Sequence, residues 1–483
     1  MAARGWMIFA VGAVSLLAFS RCSLLVGGFN ECQRDSDCAG GRICVGAGPD
    51  AGERFCVVQT VPPGCLGVPD AGIAATYGPS DAGNAIHLGA AYSFTSGPGT
   101  PISPSRVQHL NAVLLALDEI NQRSVGGRPV VLHVCDSQND NELIKTQVAW
   151  MEQQNAPAVL VTGSQPVLAA ATATVPRGML LFSPTATARE ITSFPATSDG
   201  GTRLVWRDSP SDVIQSKVIA DLVLGQADYD AGFAPVQKVG ILYSNEPYGQ
   251  GLSAQLFTLL TGKKTLQSFS YARGGPDYSA AINQLSAFGP ELTILVGFAD
   301  DAARIVLAAQ NAANLRAPGH KWFFTDAAKD PLLPTTAPAG SVEGAYGTAA
   351  GVGVGANYAL FTDRFRTRFG VEPDRYTFMA NNYDAMYLLA YGMSYATGAG
   401  GALTGERIAQ GLTRLNVGTD IPVGPSSFTQ ANSALSAGGS INVAGTSGDL
   451  TFDPQTGECP SPIQVWQIQG QTIVNQAVLD PKP

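Results

Sequence analysis

The stretch Ile86–Cys135, IHLGAAYSFTSGPGTPISPSRVQHLNAVLLALDEINQRSVGGRPVVLHVC, changes its hydrophobic period twice. Ile86–Tyr92 is a continuous apolar run of strand character. From Ser105 to Asn121 the apolar residues Val107, Leu110, Leu114, Leu117 and Ile120 recur at helical spacing. Pro129–Cys135 is apolar again. Strand, helix and strand in that order predict a βαβ unit, with parallel strands buried on both faces and a right-handed crossover.

The alternation continues outward from this unit. Asn141–Gln153 reads as a helix, Ala158–Thr162 as a strand, Pro166–Val175 as a helix and Met179–Phe182 as a strand. A second run follows. Its strands are Val236–Tyr243, Leu266–Tyr271, Leu292–Val296 and Lys321–Thr325. Its helices are Gly249–Leu260, Tyr278–Phe288 and Ala302–Ala313. Helices over 356–369 and 379–397 come next. Strand character returns at Leu450–Phe452, Ile463–Gln467 and Thr472–Val474. The fold class is therefore α/β, with two doubly wound parallel-sheet lobes and a cleft between them. In open α/β sheets ligands sit at the carboxyl ends of the strands.

Composition narrows the function. The chain has 483 residues, 45% apolar and 14% charged, enough to bury a core and too little charge for a disordered chain or coiled coil. The net charge of −9 argues against nucleic acid and against an anionic membrane face as partners. Four histidines leave few candidates for histidine-based catalysis or metal binding.

Residues 1–21 read as a signal peptide: Arg4 precedes the apolar run Trp6–Phe19, too short for a comfortable membrane span. Two readings of its end stand side by side. Cys22 after Phe19-Ser20-Arg21 resembles a bacterial lipidation site, although Arg21 replaces the usual small residue. Ordinary cleavage after Ala18-Phe19-Ser20 is the other. Residues 22–65 hold Cys32, Cys38, Cys44, Cys56 and Cys65 without a C-x-x-C or a nearby histidine. A disulfide-stapled segment fits an exported chain better than a zinc knuckle. Cys135 and Cys459 can bridge each other, or one of them Cys65. Asp-Ala-Gly recurs at 50–52, 70–72 and 81–83, and residues 66–85 read as a spacer.

Beyond residue 86 several short motifs are recognisable in order. They are Gly89-Ala90-Ala91-Tyr92-Ser93-Phe94-Thr95-Ser96-Gly97, Ala116-Leu117-Asp118-Glu119-Ile120-Asn121, and Phe182-Ser183-Pro184-Thr185-Ala186-Thr187. Ser209-Pro210-Ser211-Asp212 with Gln215, Pro247-Tyr248-Gly249-Gln250-Gly251, and Asn382-Tyr383-Asp384-Ala385 follow. Together they resemble the type I periplasmic binding proteins, in the leucine/isoleucine/valine-binding branch of the ABC-transporter solute receptors. The resemblance implies a hinge, an N-terminal lobe over 86–207 completed by about 350–447, and a C-terminal lobe over 208–349 completed by about 448–483. It implies an exported, monomeric receptor that closes over a small amino-acid-like molecule and delivers it to an ABC permease, with no cofactor. A sensing receptor without transport is the alternative.

Site residues follow from strand ends and from the resemblance together. Strand-to-helix turns present unpaired N–H groups and a positive dipole end to an anion. Ser164, Thr185 and Thr187 stand at such turns and would hold an α-carboxylate; helix capping is the plainer role of Ser164 and Thr187. By motif position Tyr248 resembles a lid tyrosine and Asp326 the acidic partner of an α-ammonium, with packing at a helix start and a helix N-cap as their plainer roles; Phe298 reads as an apolar wall or as core packing. The branched-chain receptors carry Glu where this chain has Asp326.

An enzyme is the weaker reading. Gly351-Val-Gly353-Val-Gly355 lacks the spacing of a dinucleotide loop, and no G-x-S-x-G elbow occurs. His87, His109, His133 and His320 are scattered and read as core or solvated residues.

Overall fold

Apolar runs of four to seven residues, fully buried along most of their length, become the strands of two sheets. The computed structural model describes residues 42–46, 54–58, 61–79, 83–97, 99–353, 355–398, 400 and 402–480. The chain divides into two units, Met1–Val61 and Pro62–Pro483. In the first, β1 (Arg42–Gly46) and β2 (Arg54–Val58) pair antiparallel, with Cys44 opposite Cys56 in the register. Cys56 is disulfide-bonded. The expected signal segment, Cys22, Cys32 and Cys38 lie outside the described residues.

The second unit begins with β3 (Thr76–Tyr77), β4 (Ile86–Tyr92), β5 (Val130–Asp136), β6 (Ala158–Val161), β7 (Leu180–Ser183) and β8 (Val205–Arg207). They form one sheet in the order β3-β5-β4-β6-β7-β8. All neighbours are parallel except β3, which runs antiparallel to β5 at the edge. Next come β9 (Lys238–Ser244), β10 (Thr265–Tyr271), β11 (Leu292–Val296), β12 (Lys321–Phe324) and β13 (Tyr346–Ala350). After the small parallel pair β14 (Thr419–Pro422) and β15 (Ile441–Ala444), the chain ends in β16 (Ile463–Gln469) and β17 (Thr472–Leu479). The second large sheet has the order β10-β9-β11-β12-β13-β16-β17, parallel as far as β13 and antiparallel beyond it.

Three segments pass between the lobes: after β8, after β13, and before β16. The first feeds the Asp212–Leu224 helix, whose Val218, Ile219 and Val223 pack in one core with β9, β11 and β16. The second feeds the Ala356–Phe369 and Met379–Gly398 helices, which share a core with β4, β5 and the Pro104–Asn121 helix. The passages are bonded to one another. Arg207 N–H donates to Gly457 O at 2.9 Å, and the Arg207 guanidinium meets Glu458 at 2.6 Å. Gly351 N–H donates to Pro462 O at 2.8 Å. A Cβ at Gly351 would fall 2.4 Å from that same oxygen, so this glycine serves a close backbone approach between two passages.

Several expectations are corrected. Leu450–Phe452 is not a strand; only isolated bridges at Asp449 and Asp453 flank it. Its Leu450 and Phe452 side chains are buried in the first core, where Phe452 meets Phe182 and Trp206, which explains the apolar signal. The spacer over 66–85 is partly built into the fold, because β3 joins the sheet, Ile73 is buried, and Cys65 is bonded to Cys135. Cys459 is not in a disulfide. It is a buried free thiol whose neighbours are Asp208 O and Ser461 Oγ, both at 3.8 Å, and its two candidate partners bridge each other. The helices Asp212–Leu224, Gly405–Leu412 and Phe428–Ser436 add to those read from periodicity.

Candidate ligand-binding site

A cavity of about 650 Å³ lies between the carboxyl ends of the two parallel sheets. All six residues singled out from the sequence line it: Ser164, Thr185 and Thr187 from the first lobe, and Tyr248, Phe298 and Asp326 from the second.

On the first lobe the wall is made by turns after β4, β6 and β7. The turn after β4 is pinned from β5: Asp136 accepts from Phe94 N–H at 3.0 Å and from Thr95 Oγ1 at 2.6 Å. After β6, Gly163 takes φ of 86°, a left-handed conformation glycine adopts freely, and turns the chain into the Ser164–Thr174 helix. Gly163 N–H donates to Thr185 Oγ1 at 2.9 Å. Ser164 Oγ accepts from Thr187 N–H at 3.2 Å and Ala188 N–H at 3.1 Å. Ser164 and Thr187 therefore cap no helix with their side chains; the Ser164 hydroxyl instead ties the turn after β6 to the loop after β7. Backbone N–H groups occupy acceptor sites of Ser164 and Thr185, and each hydroxyl keeps its proton to donate into the cavity. Thr187 is more deeply buried, and its carbonyl accepts from Asp212 N–H at 2.8 Å.

On the second lobe Glu246 caps the Pro247–Leu260 helix by accepting from Tyr248 and Gly249 N–H, which fixes Tyr248 in the first turn. The Tyr248 ring belongs to the lobe's core. Its hydroxyl donates to Asp326 Oδ1 at 2.6 Å and contacts Thr325 Oγ1 at 2.7 Å. Phe298 packs its ring against Tyr248 with centroids 5.8 Å apart.

Asp326 and Asp212 are two buried acids that act on each other. Burial raises the pKa of both, and the Asp326 charge raises that of Asp212 further. Hydrogen bonds from Tyr248 and Gln215 favour the Asp326 carboxylate, whereas both Asp212 oxygens lack a well-formed partner. Asp326 is therefore the first of the two to ionise. A carboxylate in this desolvated place attracts a cation more strongly than one in water.

Sequence reading missed Arg106 and Arg273, which also line the cavity. Each follows a strand's carboxyl end, Arg106 in the first turn of the helix after β4 and Arg273 just past β10. That position was their available signal. His109 is buried beside Arg106 and is a structural group: burial and the Arg106 charge hold its pKa down, at about 3. His87 and His133 stack on each other, with Nδ1 and Nε2 2.9 Å apart, on the strands β4 and β5.

A family model described as periplasmic binding protein matches residues 85–442. Solved structures show the same fold. A leucine-binding protein from Thermotoga maritima is 18% identical with a TM-score of 0.66, covering 82% of this chain and 99% of its own. A branched-chain amino acid transporter substrate-binding protein from Streptococcus pneumoniae, in complex with isoleucine, is 18% identical with a TM-score of 0.63, covering 82% and 100%. A solute-binding protein of an ABC transporter from Rhodopseudomonas palustris, in complex with 3,4-dihydroxybenzoic acid, is 15% identical with a TM-score of 0.63, covering 83% and 98%. No curated protein sequence matches the chain.

Proposed function

The chain belongs to the periplasmic binding protein family, and on that premise we propose that it captures an α-amino acid outside the cytoplasm and presents it to an ABC permease. One observation carries the choice of ligand. Hydroxyl donors from one lobe and the Tyr248–Asp326 pair from the other face a single cavity. The first set suits an α-carboxylate, aided by the N-terminus of the Ser164–Thr174 helix. The second suits an α-ammonium. A ligand that bridges both favours the closed arrangement of the lobes, because only that arrangement contacts it from two sides. Solute-binding proteins of the same fold hold ligands as different as isoleucine and an aromatic acid, so the fold leaves the ligand open and the reading rests on the cavity's own groups.

The test is a thermal-shift screen over amino acids and small carboxylates, since a ligand bound to the native state raises its stability by mass action. Amino acids should shift the melt of the wild type. Asp326→Ala should lower their affinity by at least about 100-fold, the scale of losing one partner of a buried charge pair. Unchanged affinity in Asp326→Ala would remove the ammonium assignment, and no shift with any amino acid would remove the ligand class.

A further inference from the structure

We infer that the ligand carries a second negative charge, held by Arg106 and Arg273 at the part of the cavity remote from Asp326, so that the preferred class is an α-amino acid with an anionic side chain. This deepens the amino-acid reading above and rests on it.

Sheet order separates the two ends. In the first lobe Ser164 and Thr185 follow β6 and β7, while Arg106 follows β4. In the second lobe Asp326 follows β12, while Arg273 follows the edge strand β10. Phe298 spans the interval. Its ring packs against Tyr248, which bonds Asp326, and it also carries the Arg273 guanidinium 3.5 Å from its centroid. The apolar ring would lie along the ligand's methylene groups, with opposite charges at its two sides.

The two arginines line the same cavity from opposite lobes, close enough to feel each other's charge. The Arg273 charge is the largest charge effect on Arg106, which desolvation and that charge bring down to about 10, still cationic at neutral pH. Two like charges held together in a partly dry cavity repel, and an anion between them relieves the repulsion. Neither guanidinium forms an ion pair among the described residues. Asp330 and Asp300 attract Arg106 through space, but neither is bonded to it. Asp330 accepts from Leu332 N–H at 2.8 Å, Asp326 is bonded by Tyr248, and Asp300 is exposed. Lys329, also on the wall, is bonded to Gln464.

Both guanidiniums are positioned rather than loose. His109 Nε2 lies 2.9 Å from Thr377 O, which can only accept, so the ring proton is on Nε2. Nδ1 is then an acceptor, 3.4 Å from Arg106 Nη1. Arg273 donates to Asn139 Oδ1 at 3.3 Å, from the far lobe. Each arginine keeps other N–H groups for a carboxylate, the geometry in which guanidinium binds best.

Titration calorimetry on the full protein tests this with L-aspartate, L-glutamate and L-2-aminoadipate against L-asparagine and L-glutamine. At least one acid should bind about tenfold or more tightly than its amide, or than any amide where none exists in the set. Arg106→Gln and Arg273→Gln should each erase that preference, lowering affinity for the acid by about tenfold more than affinity for the amide. The wild-type comparison stands even if a variant folds poorly. Amides binding as tightly as acids would overturn the inference and leave the amino-acid reading intact. Glutarate binding as well as L-glutamate would keep the arginine end and remove the Asp326–ammonium assignment. If neither amino acids nor glutarate bind, both fall.

Discussion

Tyr248 does two things through two parts of one side chain. Its ring is core and its hydroxyl is cavity wall. The two parts separate by substitution. Tyr248→Phe keeps the packed ring and removes the bonds to Asp326 and Thr325, so the melting temperature should hardly move while calorimetric affinity for an amino acid falls about tenfold. Tyr248→Ala should instead destabilise the fold by about 3–5 kcal/mol, as large-to-small core changes do. A pH effect follows at the same place. Protonated Asp326 loses its attraction for an ammonium, and its pKa is raised by burial. Affinity should therefore weaken on acidification, beginning above the usual carboxylate range. Six side chains on this wall were legible because strand ends and short motifs mark them. Arg106 and Arg273 were not, because the partner that gives an arginine its meaning comes from another lobe.

The Met379–Gly398 helix shows how one element can tie a lobe together. Its Asp384 accepts from the N–H and hydroxyl of Thr446 and from the N–H and hydroxyl of Ser447, at 2.7–3.0 Å. Burial outweighs these bonds and raises its pKa to about 6. The sign follows from the proton count. The native group keeps its proton to higher pH than the unfolded chain does, so its contribution to stability falls as pH rises from about 4 to about 6. Chemical denaturation across that window should show a wild-type decline, on the order of 3 kcal/mol from this group, that is absent in Asp384→Asn. Long periodic helices such as this one were readable from spacing. The short Gly405–Leu412 and Phe428–Ser436 helices were not, since each offers too few turns to stand out from a glycine-rich background.

At the scale of the whole molecule, the three passages between lobes are bonded edge to edge and contain backbone contacts that only glycine permits. In the lobe closure proposed above, bending would fall within that narrow band. Small-angle scattering should show the radius of gyration contracting when a saturating amino acid is added to the wild type, and no contraction in Asp326→Ala. The alternation of strands and helices predicted two sheets correctly, because parallel strands buried on both faces leave an unmistakable run of apolar residues. The antiparallel finish at β16 and β17 was seen only as strand character, since pairing direction is not written in hydropathy.

The bond between Cys65 and Cys135, together with β3, fastens the leading stretch of the second unit to the outer margin of the first sheet. The strand that hands over to the opposite lobe, β8, lies at the other margin. Traction arriving along the polypeptide from upstream would thus load β5 in shear, at a distance from the passages between the lobes. A pull applied upstream of Cys65 would be borne by that margin before it reached the passages between the lobes.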